Sequence, residues 1–327
     1  MAKKVTINDI AELVGVSKAT VSYYLNGNYK KMSLETKEKI QRVIESTGYR
    51  PSKIAQSLVT NDTHTIGVVI ADITNPFISS VIKGVHDTCK QSGYSVNFAN
   101  SDNDVVTELD NINRLHQQNI SGIILDSVDA NNPFIKTLDN QTMVMVDRQA
   151  EELTIDTVVS DNKASTERFL QRMRASGYTD FYFVTYPIKN ISTRQKRYEG
   201  FQAVCGSDPD KLISVLDPKG PDKVLDIIKN NEQKSAFFTM NGPTLLAFMK
   251  WLQETNYSYP KDFGLGSYED LEWMDILNPK VSCIRQDSYQ IGCVAAERLI
   301  KKLQNQGTQF EPEIIEVVNE IVERESY

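Results

Sequence analysis

The sequence predicts an all-α N-terminal segment followed by an α/β core of two subdomains, each built on a parallel sheet. Near the N-terminus, apolar residues recur at helical spacing around a glycine. From Thr65 onward, short apolar runs typical of buried strands alternate with amphipathic helices and short loops. This alternation occurs in two successive series, which indicates two similar subdomains separated by a cleft.

The first predicted helix begins after Thr6. The Thr6 hydroxyl can cap this helix, and Asp9 follows at the spacing of a capping box. Ile10, Leu13 and Val14 recur at helical steps, so we expect them on its buried face. The pattern therefore favours a short helix with one apolar side.

A second short helix is predicted after a turn at Gly15, with Ser17 as its cap and Val21 and Leu25 facing inward. Two short helices around a glycine turn are typical of a helix-turn-helix motif, whose second helix reads DNA in the major groove. Its outward positions would be Lys18, Ala19, Ser22 and Tyr23. Amide groups at a helix N-terminus, hydroxyls and a lysine suit contacts with phosphates and base edges. A helical hairpin with a solvated polar face is the alternative.

The charge is distributed unevenly along the chain. Over the 327 residues the net charge is −7, which by itself argues against a nucleic-acid binder. Residues 1–60, however, carry ten Lys or Arg and five Asp or Glu, a balance of +5, and the remainder carries −12. A basic segment on an acidic body concentrates the attraction for phosphate at one end of the chain.

The sequence carries no motif of an enzyme, a metal site or a membrane protein. The polar start is unlike a signal peptide, and no apolar run is long enough to span a bilayer. The scattered cysteines and histidines lack metal-ligand spacing, and free thiols fit a reducing cytosol, so we expect a cytoplasmic protein. Nucleophile and phosphate-binding motifs are absent from the sequence, so we expect no enzymatic activity and no cofactor.

Helix and linker signals divide the N-terminal part. A third helix is predicted from a cap at Ser33 to a stop at Gly48, which would complete a three-helix domain over residues 1–50. Pro51 suits the start of a short helix, Ser52–Val59. We expect residues 51–64 to form this helix and a polar linker.

The remaining residues, 65–327, are expected to form the two-subdomain core. We assign about 65–160 and 286–312 to its N-subdomain and about 161–285 and 313–327 to its C-subdomain. Val281–Arg285 and Ile314–Val322 have strand character and could cross back between the subdomains. The other predicted strands are 66–71, 96–99, 122–125, 143–146, 157–159, 181–184, 213–216, 236–239 and 263–266.

Several short motifs occur along the whole chain in a specific order and spacing. They are Thr-Ile-x-Asp-Ile-Ala at 6–11, Val-Ser-x-x-Thr-Val-Ser at 16–22, Gly-Tyr-Arg-Pro at 48–51, Ile-Ala-x-Ser-Leu at 54–58, Ile-Gly-Val-Val at 66–69, Asp-x-x-Asn-Pro-Phe at 72–77, Arg-x-x-Gly-Phe at 197–201, and Gln286 with Gly292. In this combination the chain resembles the lactose-repressor (LacI) family of transcription regulators. The resemblance implies a helix-turn-helix headpiece and a periplasmic-binding-protein-like core with parallel sheets.

The resemblance also implies a homodimer that binds double-stranded operator DNA with pseudo-twofold symmetry. Ser52–Val59 would be a hinge helix, with Leu58 as a minor-groove wedge and Ala55 at the close approach of two such helices. Tyr23 departs from the arginine frequent in the family, and tyrosine cannot read guanine bidentately. The implied DNA-binding residues are Thr6, Ser17, Lys18, Ala19, Thr20, Ser22, Tyr23, Asn26, Ala55 and Leu58.

A small sugar or sugar-derived effector is implied for the cleft. An aromatic ring suits the face of a sugar, and amide, carboxylate and guanidinium groups suit its hydroxyls. Asp161 and Arg148 also follow strands, and structural pairing is as good an explanation for them. The implied effector-binding residues are Asn75, Phe77, Arg197, Asn241, Glu269 and Gln286.

Two departures from the family pattern bear on the effector. Glu269 stands where aspartate is usual, and Gly242 stands where aspartate is common. Arg194 and Lys196 add positive charge beside Arg197, which would suit an anionic ligand such as a sugar acid. Ser-Tyr-Tyr-Leu-Asn at 22–26, together with segments 29–33 and 192–194, is similar to the branch that regulates ketogluconate or hexuronate use.

The residues leave several alternatives open. The main hypothesis is a repressor released from DNA by its effector, but the effector or an unidentified co-regulator protein could instead promote DNA binding. A sugar-binding transport receptor shares the two-lobed fold, and a sugar-modifying enzyme would need catalytic groups in the cleft. Because no leucine heptad follows Val322, we expect a dimer rather than a tetramer, without a membrane partner.

Overall fold

The computed structural model describes residues 5–25, 27–49, 63–230, 234–305 and 307–327. It contains two compact units, Met1–His64 and Thr65–Tyr327, and each is described by itself. Asn26 and the whole predicted hinge helix Ser52–Val59, with Ala55 and Leu58, lie outside the described residues. Within the described ranges, no helix is long and apolar enough to cross a membrane.

The described residues of the N-terminal unit form three α-helices, α1 (Ile7–Val14), α2 (Lys18–Leu25) and α3 (Leu34–Thr47). Thr6 forms the predicted capping box, in which its amide donates to Asp9 Oδ2 over 2.7 Å. The Ser33 hydroxyl accepts from the Thr36 amide at the start of α3. Gly15 and Gly48 adopt φ of +73° and +62° and end α1 and α3.

The small core of this unit contains Ile10, Ala11, Val21 and Ile40. Leu13 was expected on the buried face of α1, and this expectation is wrong, since 63% of the side chain is exposed. The buried side of α1 is centred between Ile10 and Ala11, and helical geometry turns residue 13 away from it. The three-residue spacing between Ile10 and Leu13 fits a helix, but it does not show where on α1 the buried face is centred.

The second unit is built on two six-stranded sheets. The first has the strand order β11-β5-β4-β3-β1-β2 and the second β12-β10-β9-β8-β6-β7. All pairings are parallel except β10 with β12. The strands are β1 (Thr65–Ile70), β2 (Ser95–Asn100), β3 (Gly122–Leu125), β4 (Met143–Val146), β5 (Thr157–Ser160), β6 (Asp180–Thr185), β7 (Leu212–Ser214), β8 (Ser235–Thr239), β9 (Gly264–Tyr268), β10 (Ser282–Arg285), β11 (Ile314–Val317) and β12 (Glu320–Val322).

Helices connect the parallel strands and cover the sheets. The two helices that carry Gly84 and Gly292 cross each other closely on the first sheet. A Cβ at Gly84 would lie 2.1 Å from Tyr289 O, and a Cβ at Gly292 would lie 2.0 Å from Val81 O. Glycine is therefore required at both positions of this crossing. The helices are α4 (Pro76–Gln91), α5 (Val105–Gln117), α6 (Asn162–Ala175), α7 (Ser192–Cys205), α8 (Gly220–Lys229), α9 (Gly242–Leu252) and α10 (Ser288–Gln304).

The expected boundary of the C-subdomain at residue 313 is wrong. β11 pairs in parallel with β5, from Ile314 opposite Thr157 to Val317 opposite Ser160, and so belongs to the first sheet. The chain then crosses at Val318 and Asn319 into β12 of the second sheet. The reason is that β5 would otherwise be an edge strand, and β11 forms hydrogen bonds with its exposed backbone groups.

Candidate functional site

The second helix of the N-terminal unit presents the predicted DNA-reading side chains. Lys18, Ala19 and Tyr23 are exposed, whereas Ser22 and Thr20 are partly buried. Ser17 is used as a cap, because its hydroxyl accepts from the Thr20 amide over 3.2 Å. Val21, on the opposite side, is fully buried. One face of α2 is therefore fixed by packing, and the other is free to meet a ligand.

Tyr23 has a cationic neighbour. The Lys31 ammonium lies 4.5 Å from the centroid of the Tyr23 ring, in a cation–π contact. This contact places a positive charge beside the exposed phenol. The pair can offer a hydroxyl and an ammonium group to a nucleic acid, but no bidentate donor for guanine.

A cavity of about 680 Å³ lies in the second unit, where loops after several strands meet. Three residues of the predicted effector set, Phe77, Glu269 and Gln286, line it. Trp273 also lines it and gives a second aromatic ring, which the sequence interpretation did not include. The sequence does contain a signal for Trp273, because this aromatic residue comes just after the polar segment that follows β9, and loops after parallel strands carry ligand residues. The remaining lining residues are Pro76, Ser80, Asp270, Leu271, Glu272 and Ser288.

Arg197 is held at the junction of the two subdomains. It is only 5% exposed, and its Nε donates to Asn162 Oδ1 over 2.8 Å. One terminal nitrogen donates to Gln286 Oε1 over 3.2 Å and the other to Met240 O over 3.1 Å. The guanidinium lies 3.6 Å from the centroid of the Tyr268 ring. The structure therefore brings two predicted residues, Arg197 and Gln286, into direct contact.

Asn75 and Asn241 both cap helices and are not among the residues that line the cavity. Asn75 Oδ1 accepts from the Phe77 amide at the start of α4. Asn241 Oδ1 accepts from the amide and hydroxyl of Thr244 at the start of α9. Each asparagine oxygen is thus committed to a cap, and the amide NH₂ is the group that could reach a ligand.

Glu269 and Gly242 form a matched pair. Glu269 Oε2 accepts from the Gly242 amide over 2.9 Å, at the N-terminus of α9. A Cβ at Gly242 would lie 2.3 Å from Leu271 Cδ1 and 3.2 Å from Glu269 Oε2. A side chain at 242 would therefore require Leu271 to move, and a carboxyl there would lie close to that of Glu269. Burial raises the pKa of Glu269, while Arg197 and the Gly242 amide oppose the rise.

Carboxyl groups that the sequence interpretation left out follow β3 and β4. Asp126 is 3% exposed, and burial, aided by the nearby Asp147, raises its pKa to about 7. Burial also raises the pKa of Asp147, against the opposing charges of Arg148 and Arg197. The signal for these residues was available, since each carboxyl directly follows a buried strand on the edge where parallel strands place ligand groups.

The two residues for which structural pairing was an open alternative do make structural contacts. Arg148 donates to the carbonyls of Ser127 and Val128 over 3.0 and 2.7 Å. Asp161 pairs with Arg168 and accepts from the Asn319 amide. These contacts account for both side chains without a ligand.

Arg194 carries a further positive charge in the second unit. Burial lowers the pKa of Arg194, and the charges of Arg148 and Arg197 lower it further. Arg194 itself donates to Pro187 O over 2.7 Å. Lys196 was expected to add to this positive charge, but it pairs with Glu199 instead. Clustered arginines can bind carboxylate oxygens through paired hydrogen bonds.

Comparison with known proteins identifies the chain's relatives. Residues 6–52 match the family of bacterial regulatory proteins, lacI family, and residues 66–273 match a periplasmic binding protein domain. The HTH-type transcriptional regulator KdgR of Bacillus subtilis is 33% identical over 98% of this chain and 97% of the relative. The chain belongs to the lacI family. PtxS of Pseudomonas putida, another HTH-type regulator, is 33% identical over 92% of this chain and 90% of its own.

Solved structures show the same fold at lower identity. The Lac repressor bound to ONPG matches with a TM-score of 0.82 at 20% identity, over 99% of this chain and 100% of that one. The transcriptional regulator CelR in complex with cellobiose gives 0.70 at 20% identity, again over 99% and 100%. As a lacI-family member, the chain is a DNA-binding transcription regulator and not an enzyme.

Proposed function

We propose that this regulator is a homodimeric repressor whose operator affinity is controlled by a sugar acid bound in the 680 Å³ cavity. The observation that carries the proposal is that the buried Arg197 guanidinium is hydrogen-bonded to Gln286, which lines this cavity together with two aromatic side chains. Guanidinium groups suit a carboxylate, and the rings of Phe77 and Trp273 suit the apolar face of a sugar. The repressor is expected to act in the cytoplasm, where its DNA partner lies.

Two likenesses support a sugar-type effector. The CelR structure holds cellobiose in a protein of the same fold. The similarity of segments 22–26, 29–33 and 192–194 to the ketogluconate and hexuronate branch favours an acid over a neutral sugar. Asn75, Asn241, Glu269 and Gln286 would supply the polar contacts to its hydroxyls.

The operator contacts we propose rest on α2. Lys18, Ala19 and Tyr23 would meet base edges, and the other members of the DNA-binding set would contact phosphates or the minor groove. Ala55 and Leu58 keep their predicted hinge roles as part of this proposal. A dimer would place two copies of α2 in successive major grooves of a pseudo-palindromic site.

An apolar corner of the first sheet supports dimerisation. Ile73, Phe98 and Val106 are 55%, 49% and 66% exposed. The Ile73 amide donates to Asn100 Oδ1 at the end of β2, the strand that carries Phe98, and the loop after β2 leads into α5, which carries Val106. Adjacent exposed apolar side chains are typical of an interface between copies.

The proposed effector class is tested by thermal-shift measurements with gluconate, 2-ketogluconate, galacturonate and their neutral parent sugars. We expect an acid to raise the melting temperature and to weaken binding to DNA upstream of the regulator's own gene. If no sugar or sugar acid shifts melting, the cleft assignment fails. An acid that strengthens DNA binding would reverse the sign of regulation and leave the site in place.

Arg197→Ala is expected to weaken binding of the best acid at least tenfold, since a charge-assisted hydrogen bond contributes about 1.5–3 kcal/mol. Isothermal titration calorimetry measures the loss. Arg172→Ala is the matched control, because Arg172 is half-exposed and pairs with Glu323 at the surface. Arg197→Lys, which keeps the charge without the fork, replaces the alanine variant if that variant does not fold. Equal affinity of the parent and both Arg197 variants would refute the role of Arg197.

A further inference from the structure

Asp126 has an unusual environment for a carboxyl group. Its Oδ2 accepts from the Ala71 amide over 3.2 Å. Its Oδ1 is buried and has no hydrogen-bond partner among the residues that the structure describes. Leaving a charged oxygen buried and unpaired is costly, and a bound proton removes most of that cost.

Charged groups lie on the elements that neighbour Asp126. The loop after β1 carries Asp72, the residue after Ala71, and its carboxyl accepts from Thr74 and Asn103. On α5, Glu108 accepts from Ser127 Oγ and the Val128 amide and adds a negative charge near Asp126. The end of β4 contributes Asp147 and Arg148, and the second subdomain contributes Arg197 and Glu269 close to Asp147.

Carboxyl groups outnumber guanidinium groups around Asp126. Burial raises the pKa of Glu108, Asp126, Asp147 and Glu269, and the charges of Arg148 and Arg197 oppose this rise. An incoming carboxylate adds a further negative charge to this set. The least costly response is to protonate Asp126, because its Oδ1 has no hydrogen-bond partner among the described residues.

We propose that Asp126 sets the charge of the cleft for an anionic effector, by taking up a proton when a sugar acid binds. This inference rests on the proposed sugar-acid effector. Below neutral pH, Asp126 already holds the proton and the cleft accepts the anion directly. Above neutral pH, the proton must be taken from solution, so affinity falls as pH rises.

Calorimetry of 2-ketogluconate and galacturonate binding tests the proposal. Titrations in two buffers of different ionisation enthalpy give the number of protons taken up. We expect the parent to take up between about 0.5 and 1 proton near pH 7.5, and its Kd to rise by up to about tenfold per pH unit above pH 7. Asp126→Asn, a neutral isostere, should bind the acid with little proton uptake and a flat pH profile.

Glu108→Gln is the matched control. Glu108 is also a buried carboxyl, but both of its oxygens accept hydrogen bonds, so its variant should keep the proton uptake. Uptake that persists unchanged in Asp126→Asn would overturn the assignment, as would a pH-independent Kd in the parent. If neither acid binds at any pH, the proposed sugar-acid effector is wrong. If an acid binds without the expected proton uptake, only the role of Asp126 is wrong.

A measurement without ligand covers the case in which Asp126→Asn binds poorly. The folded-state pKa of about 7 lies above the ordinary value of 3.8, so ionisation of Asp126 costs stability as pH rises through this window. The melting temperature of Asp126→Asn relative to the parent should therefore increase from about pH 4 to about pH 7 and then level off. A difference that stays constant with pH would show that Asp126 does not titrate there.

Discussion

At the scale of single residues, Glu269 and Gly242, the two departures from the family pattern, contact each other directly. The glutamate reaches the first amide of α9 because position 242 carries no side chain. The N-terminus of a helix favours a carboxylate, so this contact orients Glu269 at the wall of the cleft. The family pattern, with aspartate at either position, would place its carboxyl groups differently.

Gly242→Asp is expected to destabilise the protein by about 1–3 kcal/mol, because the added side chain overpacks Leu271 and repels Glu269. Effector affinity should fall as well. The double variant Gly242→Asp, Glu269→Asp should recover part of both losses, since the shorter carboxyl leaves room. Chemical denaturation and calorimetry measure the two effects in a double-mutant cycle. Strictly additive losses would contradict the proposed pairing.

At the scale of elements, α2 has one side fixed and one side free. Val21 is buried against Ile10 and Ile40, and the capped N-terminus of α2 presents Lys18 and Ala19 outward. Specificity then depends on a few exposed side chains, of which Tyr23 is the most distinctive. The Lys31 contact holds positive charge at this face.

Tyr23→Arg should shift the preferred operator toward guanine at the contacted base pair. A bidentate arginine–guanine contact contributes about 1–3 kcal/mol of discrimination, which tyrosine cannot supply. Selection of bound sequences from a random library measures the preference. Lys39→Arg, an exposed change on α3 where Lys39 pairs with Glu35, is the control and should leave the selected sequence unchanged. Identical preferences of the parent and Tyr23→Arg would exclude position 23 from base reading.

At the scale of the whole second unit, a hydrogen-bond network joins all three chain crossovers between the subdomains. Gln286, at the crossover after β10, accepts from Ser160 at the crossover after β5 and from Arg197. Tyr268, under the Arg197 guanidinium, bonds to Asn319 at the third crossover over 2.7 Å. A ligand that engages Arg197 therefore acts directly on the segments about which the subdomains can turn.

Tyr268→Phe should reduce the coupling between effector and DNA binding, because it removes the hydrogen bond from Asn319 while keeping the ring beneath Arg197. We expect effector affinity to change by less than about threefold and the effector's influence on operator affinity to fall, from a coupling that is typically about 1–3 kcal/mol. DNA-binding titrations with and without effector measure it.

Tyr259→Phe is the control for this prediction. It also removes a buried hydroxyl, which donates to Pro279 O, but it lies away from the crossovers. The control should lose stability without losing coupling. Equal coupling in the parent and Tyr268→Phe would contradict a role for the third crossover.

Local patterns were sufficient for most elements. The caps at Thr6 and Ser33 and the stops at Gly15 and Gly48 were predictable, because each depends on side-chain or φ preferences within a few residues. The strands β3 and β4 begin and end at the predicted residues, because continuous apolar runs mark strands buried on both faces. The family resemblance added Arg197 and Gln286 to the candidate site, and the structure added the hydrogen bond between them.

What the sequence could not give depends on contacts between distant segments. The place of β11 in the first sheet follows from the free edge of β5, which lies 157 residues earlier in the chain. Trp273 and Asp126 joined the candidate site only when the fold brought the ends of separate strands together. Caps, turns and apolar periodicity depend on residues close together in the sequence, so the sequence by itself determines them. Burial, pKa values and sheet order depend on which surfaces meet in three dimensions, so only the tertiary structure decides them.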